Sequence, residues 1–394
     1  MHDDPIVITG AARTPMGTFN GALARLSAPG LAGPALAAAM TQSGLNAEQI
    51  NEVLVGHVLP AGVGQAPARQ AAFAAGLPAA TPCTGVSKVC GSGMKALIIG
   101  HDGLIAGSND VVLAGGMESM SNAPYLLDKA RGGYRLGHGH IIDHMFMDGL
   151  EDAYDKGQLM GTFAENCAEH FGFNRAAQDA FATESFRRAR AAVEGGRFDA
   201  EVAPVDIKTR RASTTINRDE APFAVDPSRI PELKPAFKTH GTVTAGNASS
   251  IADGAAALTL MRRSHAEALG ITPRAVIRGH GGHAQAPAWF TTAPVKAIGK
   301  LLDHVGWSTA DVDLYEINEA FAVVTMAAMH ELDLPHDKVN VHGGACALGH
   351  PLGASGARIL VTLLHAMEYH DCQRGVASLC IGGGEATAVA LERP

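Results

Sequence analysis

The sequence predicts an α/β protein with a duplicated core and a long insertion in its first half. Three observations carry this. Short β-branched or apolar runs alternate with helical stretches along the chain. One order of strand, Gly-rich elbow, helix and strand ending in Gly-Gly occurs twice. Between the copies, residues from about 117 to 250 have a different, more polar texture.

The elements follow in order. Ile6-Val7-Ile8 is a strand, as is Val53-Leu54-Val55, and Ala66 to Ala75 reads as a helix ended by Gly76 and Pro78. Val86 to Val89 is strand-like, and Cys90-Gly91-Ser92-Gly93 opens a helix with Met94, Leu97, Ile98, His101, Leu104 and Ile105 on one face before Gly107. Val111 to Leu113 is a buried strand that ends at Ala114-Gly115-Gly116. Met117 to Thr162 is rich in Gly, Asp, His and Met. Ala164 to Val193 is helical with Asn174 as a cap, and Asp206 to Gly241 is a Pro-containing polar excursion. The core resumes with a strand at Ile251 to Met261. The second copy reads Ala275-Val276-Ile277, Leu314 to Ile317, Val339-Asn340-Val341, a helix over Gly353 to Met367, and Ala377-Ser378-Leu379 running into Cys380-Ile381-Gly382-Gly383-Gly384.

Composition narrows the function. A 394-residue chain that is 46% hydrophobic, with mean hydropathy +0.07, is too apolar for disorder. Each apolar run is interrupted before it reaches the length of a membrane span. A net charge of −8 without a Lys/Arg block argues against nucleic acid. The start of the chain passes from acidic residues straight into a strand, without the pattern of a signal peptide. Six scattered cysteines then point to reduced thiols in the cytoplasm. The 46 glycines far outweigh the 5% aromatics, and that surplus needs an address.

Cys90 sits where a strand meets a helix N-terminus, a place that lowers a thiol pKa; its flanking glycines would let a substrate carbonyl approach backbone amides. The competing reading is a buried packing cysteine. Cys380 ends the equivalent strand of the second copy, and alone it reads equally as a packing thiol. His350, in Gly349-His350-Pro351-Leu352-Gly353, is placed to deprotonate a thiol or donate to an oxyanion. Asn318-Glu319-Ala320-Phe321 makes a polar floor at a strand end. His342, Cys346 and His350 have H-x3-C-x3-H spacing, but the segment is too Gly-rich for a firm helix and no metal is expected. Cys83, Cys167 and Cys372 fill space or lie at the surface, and His138, His140 and His144 are solvated.

Ser87 to Lys95, with Val89-Cys90-Gly91-Ser92-Gly93 at its centre, resembles the acyl-enzyme motif of thiolases. Gly115 to Ser121, Asn318 to Phe321, Gly349 to Gly356 and Cys380 to Gly384 resemble four further blocks of that family, and Gly241 to Ser249 is similar to its pantetheine-contacting block. The blocks keep family order over almost the whole chain. The resemblance implies a thiolase fold: two similar βαβαβαββ halves in a five-layered α-β-α-β-α arrangement, with an inserted loop domain. It divides the chain into 1–120 and 250–270 for the N-terminal half, 121–249 for the loop domain and 271–394 for the C-terminal half.

It also implies acetyl-CoA, acetoacetyl-CoA and CoA as substrates, no separate cofactor, and a homotetramer built from dimers. Cys90 would be acylated, His350 would take its proton and Cys380 would move the α-proton. One oxyanion hole would be His350 with a water on Asn318, and the other the N–H groups of Cys90 and Gly382. Ser249, Met160, Phe237, Ala320, Phe321 and Arg229 would line the CoA and acyl sites. Met160 stands where short-chain members carry a Met, which favours acetoacetyl-CoA over a broad range of 3-ketoacyl-CoA substrates of fatty acid metabolism. The sequence departs from the family at three points. Glu385 would raise the Cys380 pKa if it pointed inward, and Ser250 to Ala252 replaces the commoner Gly-Leu-Asn. Asp219-Glu220 is followed by Ala221-Pro222-Phe223 rather than an Arg, which leaves adenine contact to Arg218 or Arg229. A decarboxylating condensing enzyme would not need Cys380, and a silent acyl-CoA or lipid-binding relative would have lost Cys90 or His350.

Overall fold

The computed structural model describes residues 4–208 and 212–394. The acidic stretch read from Met1 and the excursion over Asp206 to Gly241 therefore lie partly outside the described residues. The N-terminal half contains β1 (Ile6–Arg13), α1 (Ala28–Gln42), β2 (Glu52–Gly56), α2 (Pro67–Ala74), β3 (Cys83–Val86), α3 (Ser92–Ala106) and β4 (Val111–Ser119). After α4 (Met160–Phe171) and α5 (Arg175–Glu194) it regains the sheet with β5 (Ala252–Arg262). The C-terminal half contains β6 (Ala275–Ala284), α6 (Ala293–Val305), β7 (Leu314–Ile317), α7 (Ala322–Leu332), α8 (Leu352–Tyr369), β8 (Arg374–Ile381) and β9 (Glu385–Glu392).

The large sheet runs β7-β8-β9-β6-β1-β5-β4-β2-β3. Counted within each half, the strands take the same order, first-fifth-fourth-second-third. In the C-terminal half only the bridge of Val339 to Tyr315 stands in for the third strand. The seam is short, Val7 opposite Val276 and Ile8 opposite Ala275, and there the sheet folds over on itself. Side chains alternate across each strand. Ile6, Ile8, Leu258 and Leu260 of one half and Ala377, Leu379, Val389 and Leu391 of the other face one central cluster with α3 and α8. Val7, Val53, Val55 and Met261 face α1 and α2, while Val376, Ala388 and Ala390 face α6. The result is five layers, with α3 and α8 in the middle.

The central helices touch through glycine. A Cβ on Gly93 would lie 2.9 Å from Gly353 O and Ala357 N, and one on Gly356 would lie 2.5 Å from Met94 N. Much of the glycine surplus thus lets two helices and the strands beside them approach at backbone distance.

Several local expectations change. The strand read over Val86 to Val89 stops at Val86, because Val89 takes φ 44 to turn into the helix. The strand read over Val111 to Leu113 continues through Gly115-Gly116 to Ser119, held by pairing with β5. Val339 to Val341 is no strand, since Asn340 takes φ 49 and its side chain bonds Ile317 N and O, at 2.8 and 2.9 Å. The stretch from Ala164 to Val193 is two helices, broken at Gly172 (φ 67), with Asn174 capping the second at Ala177 N. His144 is buried and bonds Asp148 at 2.6 Å, rather than lying in solvent. Between Met120 and Ile251 the described residues add no strand to the large sheet; they form two small hairpins, α4, α5 and connecting loops. No helix among the described residues is long and apolar enough to cross a membrane.

Candidate active site

The ends of β3, β7 and β8 and the N-termini of α3 and α8 meet on one side of the central layer. At the first, the chain turns sharply. Val89 is β-branched in the left-handed region, a strain of about 1–3 kcal/mol that neighbouring bonds must hold. They are Lys88 N to Ser92 Oγ (2.8 Å), Ser92 Oγ to Val89 O (2.7 Å) and Ser92 N to Val89 O (3.1 Å). This elbow presents Cys90, buried at 9% exposure. The backbone N–H groups of Gly382 and of Cys90 itself lie near its sulfur and favour the thiolate.

The expected lowering of the Cys90 pKa is overturned. Burial outweighs those N–H groups and pushes the thiol up to about 11, with Glu118 adding to the rise. The expected purpose of its neighbours also changes. A Cβ on Gly91 would lie 2.4 Å from Ile381 Cδ1, and Gly93 faces α8, so protein fills the space opened by both glycines.

Cys380, fully buried near the end of β8, has a thiol raised well above its ordinary value by burial and then by the neighbouring Cys90. Beyond it, Gly383 and Gly384 (φ 91 and 89) make the turn that aims the Gly382 N–H at Cys90. The Glu385 side chain points outward, 40% exposed, and pairs with Lys88. It is not among the causes of the Cys380 shift, so the inward carboxylate considered above does not occur.

His350 follows Gly349 (φ 94) and donates its backbone N–H to Ser250 O at 3.0 Å. Its Nδ1 meets Ser355 Oγ at 2.5 Å, and Ser355 Oγ lies 2.9 Å from Pro351 O. A hydroxyl has one proton, and Ser355 gives it to Pro351 O. Ser355 therefore accepts from Nδ1–H, leaving Nε2 as a lone pair without a protein partner. Burial, and then Arg358, hold the His350 pKa down to about 3, so the imidazole is neutral at pH 7. Asn318, 1% exposed, is fixed by its backbone N–H to Ser378 O (3.0 Å), yet neither side-chain amide atom has a protein partner. A buried carboxamide left so costs about 1–3 kcal/mol per group and marks a site built for a polar guest.

An apolar wall closes one side. Cys380 packs in a cluster with Phe163, Phe290, Ala320 and Phe321, flanked by Met160 and Phe237. Phe321 stands edge-on to Phe237 (6.0 Å between centroids) and to Phe290 (6.5 Å). The Met160 sulfur lies 3.5 Å from where a Cβ on Gly382 would sit. Ser249 joins this wall through its backbone N–H to Ala320 O at 3.0 Å. Arg229 is not brought there: it is 73% exposed, 3.4 Å from Glu232. Asp219 is buried against Arg13 (2.6 Å), and Glu220 accepts from Thr18 N and Ala22 N, so this acidic pair anchors the excursion to the N-terminal strands. Arg218 lies over the exposed Phe223 ring at 5.3 Å. The H-x3-C-x3-H residues diverge: His342 meets His370 (3.2 Å), Cys346 N–H meets Glu319 (3.0 Å), and His350 meets Ser355.

Sequence reasoning missed four residues beside the site. Ser355 sits five positions after His350, a spacing that could have flagged it. Arg358 is a charge in the apolar middle of α8, buried 3.5 Å from Glu316. Glu118, fully buried, accepts from Val58 N, Leu59 N and Gly353 N. Phe290 carried no local signal.

Fold and site together define an α/β enzyme with a duplicated core. The chain matches the family models for the thiolase N-terminal domain over residues 6–264 and the thiolase C-terminal domain over residues 271–393. It is 50% identical over 391 residues to acetyl-CoA acetyltransferase 2 of Arabidopsis thaliana, covering 98% of this chain and 96% of the relative. The crystal structure of Bacillus anthracis acetyl-CoA acetyltransferase superposes with a TM-score of 0.97 at 41% identity, covering 99% of each chain. The Acat5 thiolase of Ascaris suum, solved in complex with coenzyme A, gives 0.93 at 40% identity, covering 99% of this chain and 100% of that one. The chain belongs to the thiolase family.

Proposed function

We propose that the protein is an acetyl-CoA C-acetyltransferase that interconverts acetoacetyl-CoA plus CoA with two acetyl-CoA through an acyl-Cys90 intermediate. The observation that supports this reading is a buried thiol with two backbone N–H groups near its sulfur and a second buried thiol beside it, together with a neutral imidazole whose Nε2 lone pair has no protein partner.

In thiolysis, His350 Nε2 takes the Cys90 proton as the sulfur attacks the 3-keto carbon. The N–H groups of Cys90 and Gly382 receive the charge that forms on that oxygen. The C2–C3 bond breaks, and the departing acetyl-CoA enolate takes the proton of Cys380, leaving acetyl-Cys90. The enolate oxygen is held by His350, now protonated, and by Asn318 through a water. Incoming CoA gives its thiol proton to Cys380 and attacks the acetyl carbonyl, and Cys90 leaves as a thiolate reprotonated by His350. Condensation is the reverse. Burial suits both thiols to these parts, since a raised pKa keeps Cys380 a proton donor at rest and makes its thiolate a strong base. No step requires a resident cofactor.

The wall of Met160, Phe237, Phe290 and Phe321 favours a short acyl group over the broad-range reading. Ser249 and its block are assigned to the pantetheine arm, and Arg218 or Arg229 to the adenine end of CoA. We assign residues 121–249 as the loop domain over the site, read the protein as a homotetramer and, from its six unpaired thiols, as cytoplasmic.

The test is loss of the acetoacetyl-CoA enolate absorbance on adding CoA. Turnover by the wild type that disappears in Cys90→Ala is expected; undiminished turnover in the variant would overturn the assignment.

A further inference from the structure

We propose that His101, Asp102 and His280 form a binding site for a divalent transition-metal ion of the zinc class, joining the two halves of the molecule away from the thiols. His101 and Asp102 lie in the third turn of α3, and His280 comes from β6 of the other half. One donor atom from each lies within 4.8 Å of the other two. Asp102 Oδ1 is 3.1 Å from His101 Nδ1 and 2.8 Å from His280 Nε2, and the imidazoles stand edge-on at 4.9 Å.

Two imidazole nitrogens and a carboxylate oxygen are a zinc-type donor set, open at a fourth position. Metal–ligand bonds of about 2.0–2.2 Å place tetrahedral donors roughly 3.3 Å apart, so the pairs at 3.1 and 2.8 Å need to open by only a few tenths. Asp102 is half-exposed, so the side chains have room to do this. The open position faces a cavity of about 820 Å³ that His304, Arg263 and Arg278 also line. A cation here would be fed from solvent and have a further imidazole nearby. At about 1.5 Å per helical residue, the site lies roughly 16 Å along α3 from Cys90, so it has no part in the proposed chemistry. Its effect is to add to the tie between α3 and β6 that the Asp102–His280 hydrogen bond and the edge-on imidazoles already make.

The experiment uses the assembled full-length protein, stripped with chelator and carrying Cys90→Ala so that the reactive thiol does not compete. It is titrated with Co²⁺ and Zn²⁺. The site predicts one ion per chain, visible Co²⁺ bands of a four-coordinate N/O set, and a melting temperature raised by about 3 °C at a hundredfold excess over Kd. His280→Gln, and independently His101→Asn, should weaken binding by more than the roughly 10–100-fold that losing an outer-shell partner costs. In the Cys90 background, His280→Gln should leave thiolysis unchanged. Saturation unaffected by either variant, or a sulfur-to-cobalt charge-transfer band, would show that the metal sits elsewhere and overturn the proposal. Absence of saturation below about 0.1 mM would leave a hydrogen-bonded cluster only, and would equally overturn it.

Discussion

Ser355→Ala tests whether the His350 tautomer is set by one hydroxyl. Ser355 is 1% exposed and receives Nδ1–H at 2.5 Å, with its own proton committed to Pro351 O. When Cys90 attacks, His350 becomes an imidazolium, and this bond changes from a neutral one of about 1 kcal/mol to a charge-assisted one of roughly 1.5–3. The part present only in the transition state is therefore about 0.5–2 kcal/mol, or roughly 2- to 30-fold in kcat. The stranded Nδ1–H gains further by moving its proton to Nε2, which removes the base, so the expected loss is tenfold or somewhat more with KM little changed. The assay is thiolysis of acetoacetyl-CoA under saturating CoA, with far-UV circular dichroism to confirm the fold. Ser355→Thr, which keeps the hydroxyl, should recover most of the rate. A folded Ser355→Ala enzyme with kcat within about twofold of wild type would refute the tautomer argument.

Three other outcomes follow from the same geometry. His342 and His350 have pKa values held down to about 3 against an ordinary 6.5, so the unfolded chain binds protons that the folded one does not as pH falls below 6.5. Each should cost roughly 2 kcal/mol between pH 6.5 and 5, and His342→Gln should shrink the drop in melting temperature over that range; an unchanged drop would contradict the burial argument. Phe290→Ala should raise kcat/KM for a substrate two methylenes longer than acetoacetyl-CoA, relative to acetoacetyl-CoA, by about 15-fold at ~0.8 kcal/mol per methylene, and an unaltered ratio in a chain-length series would remove Phe290 from the acyl wall. Glu385→Gln, acting on a partly exposed ion pair with Lys88, should change stability by no more than about 1 kcal/mol and leave the alkaline limb of the kcat profile in place, whereas a shifted limb would return Glu385 to the neighbourhood of Cys380.

Element order, the doubled core and the chemical identities of Cys90, His350, Cys380 and Asn318 were legible in the sequence because they rest on short-range information. Periodicity marks strands and helices, glycine marks elbows, and unusual residues stand at those elbows. The failures came where a distant contact overrides local pattern. Val86 to Val89 has strand composition, yet the turn into α3 forces Val89 to positive φ. Val339 to Val341 has strand composition too, but Asn340 is taken up by Ile317 and the bend that follows.

The sequence by itself determined which groups are available and at what chain positions they emerge. Only the tertiary structure decided their state. Whether Cys90 rests as thiol or thiolate depends on burial against two N–H groups, one of them from a turn 292 residues away. The direction in which the imidazole holds its lone pair depends on a hydroxyl one helical turn along. Glycines read as openings for substrate turned out to be occupied by Ile381 and by the backbone of α8. Desolvation, tautomer and close packing are properties of an environment that residues from both halves create together, and no local window of the chain contains them.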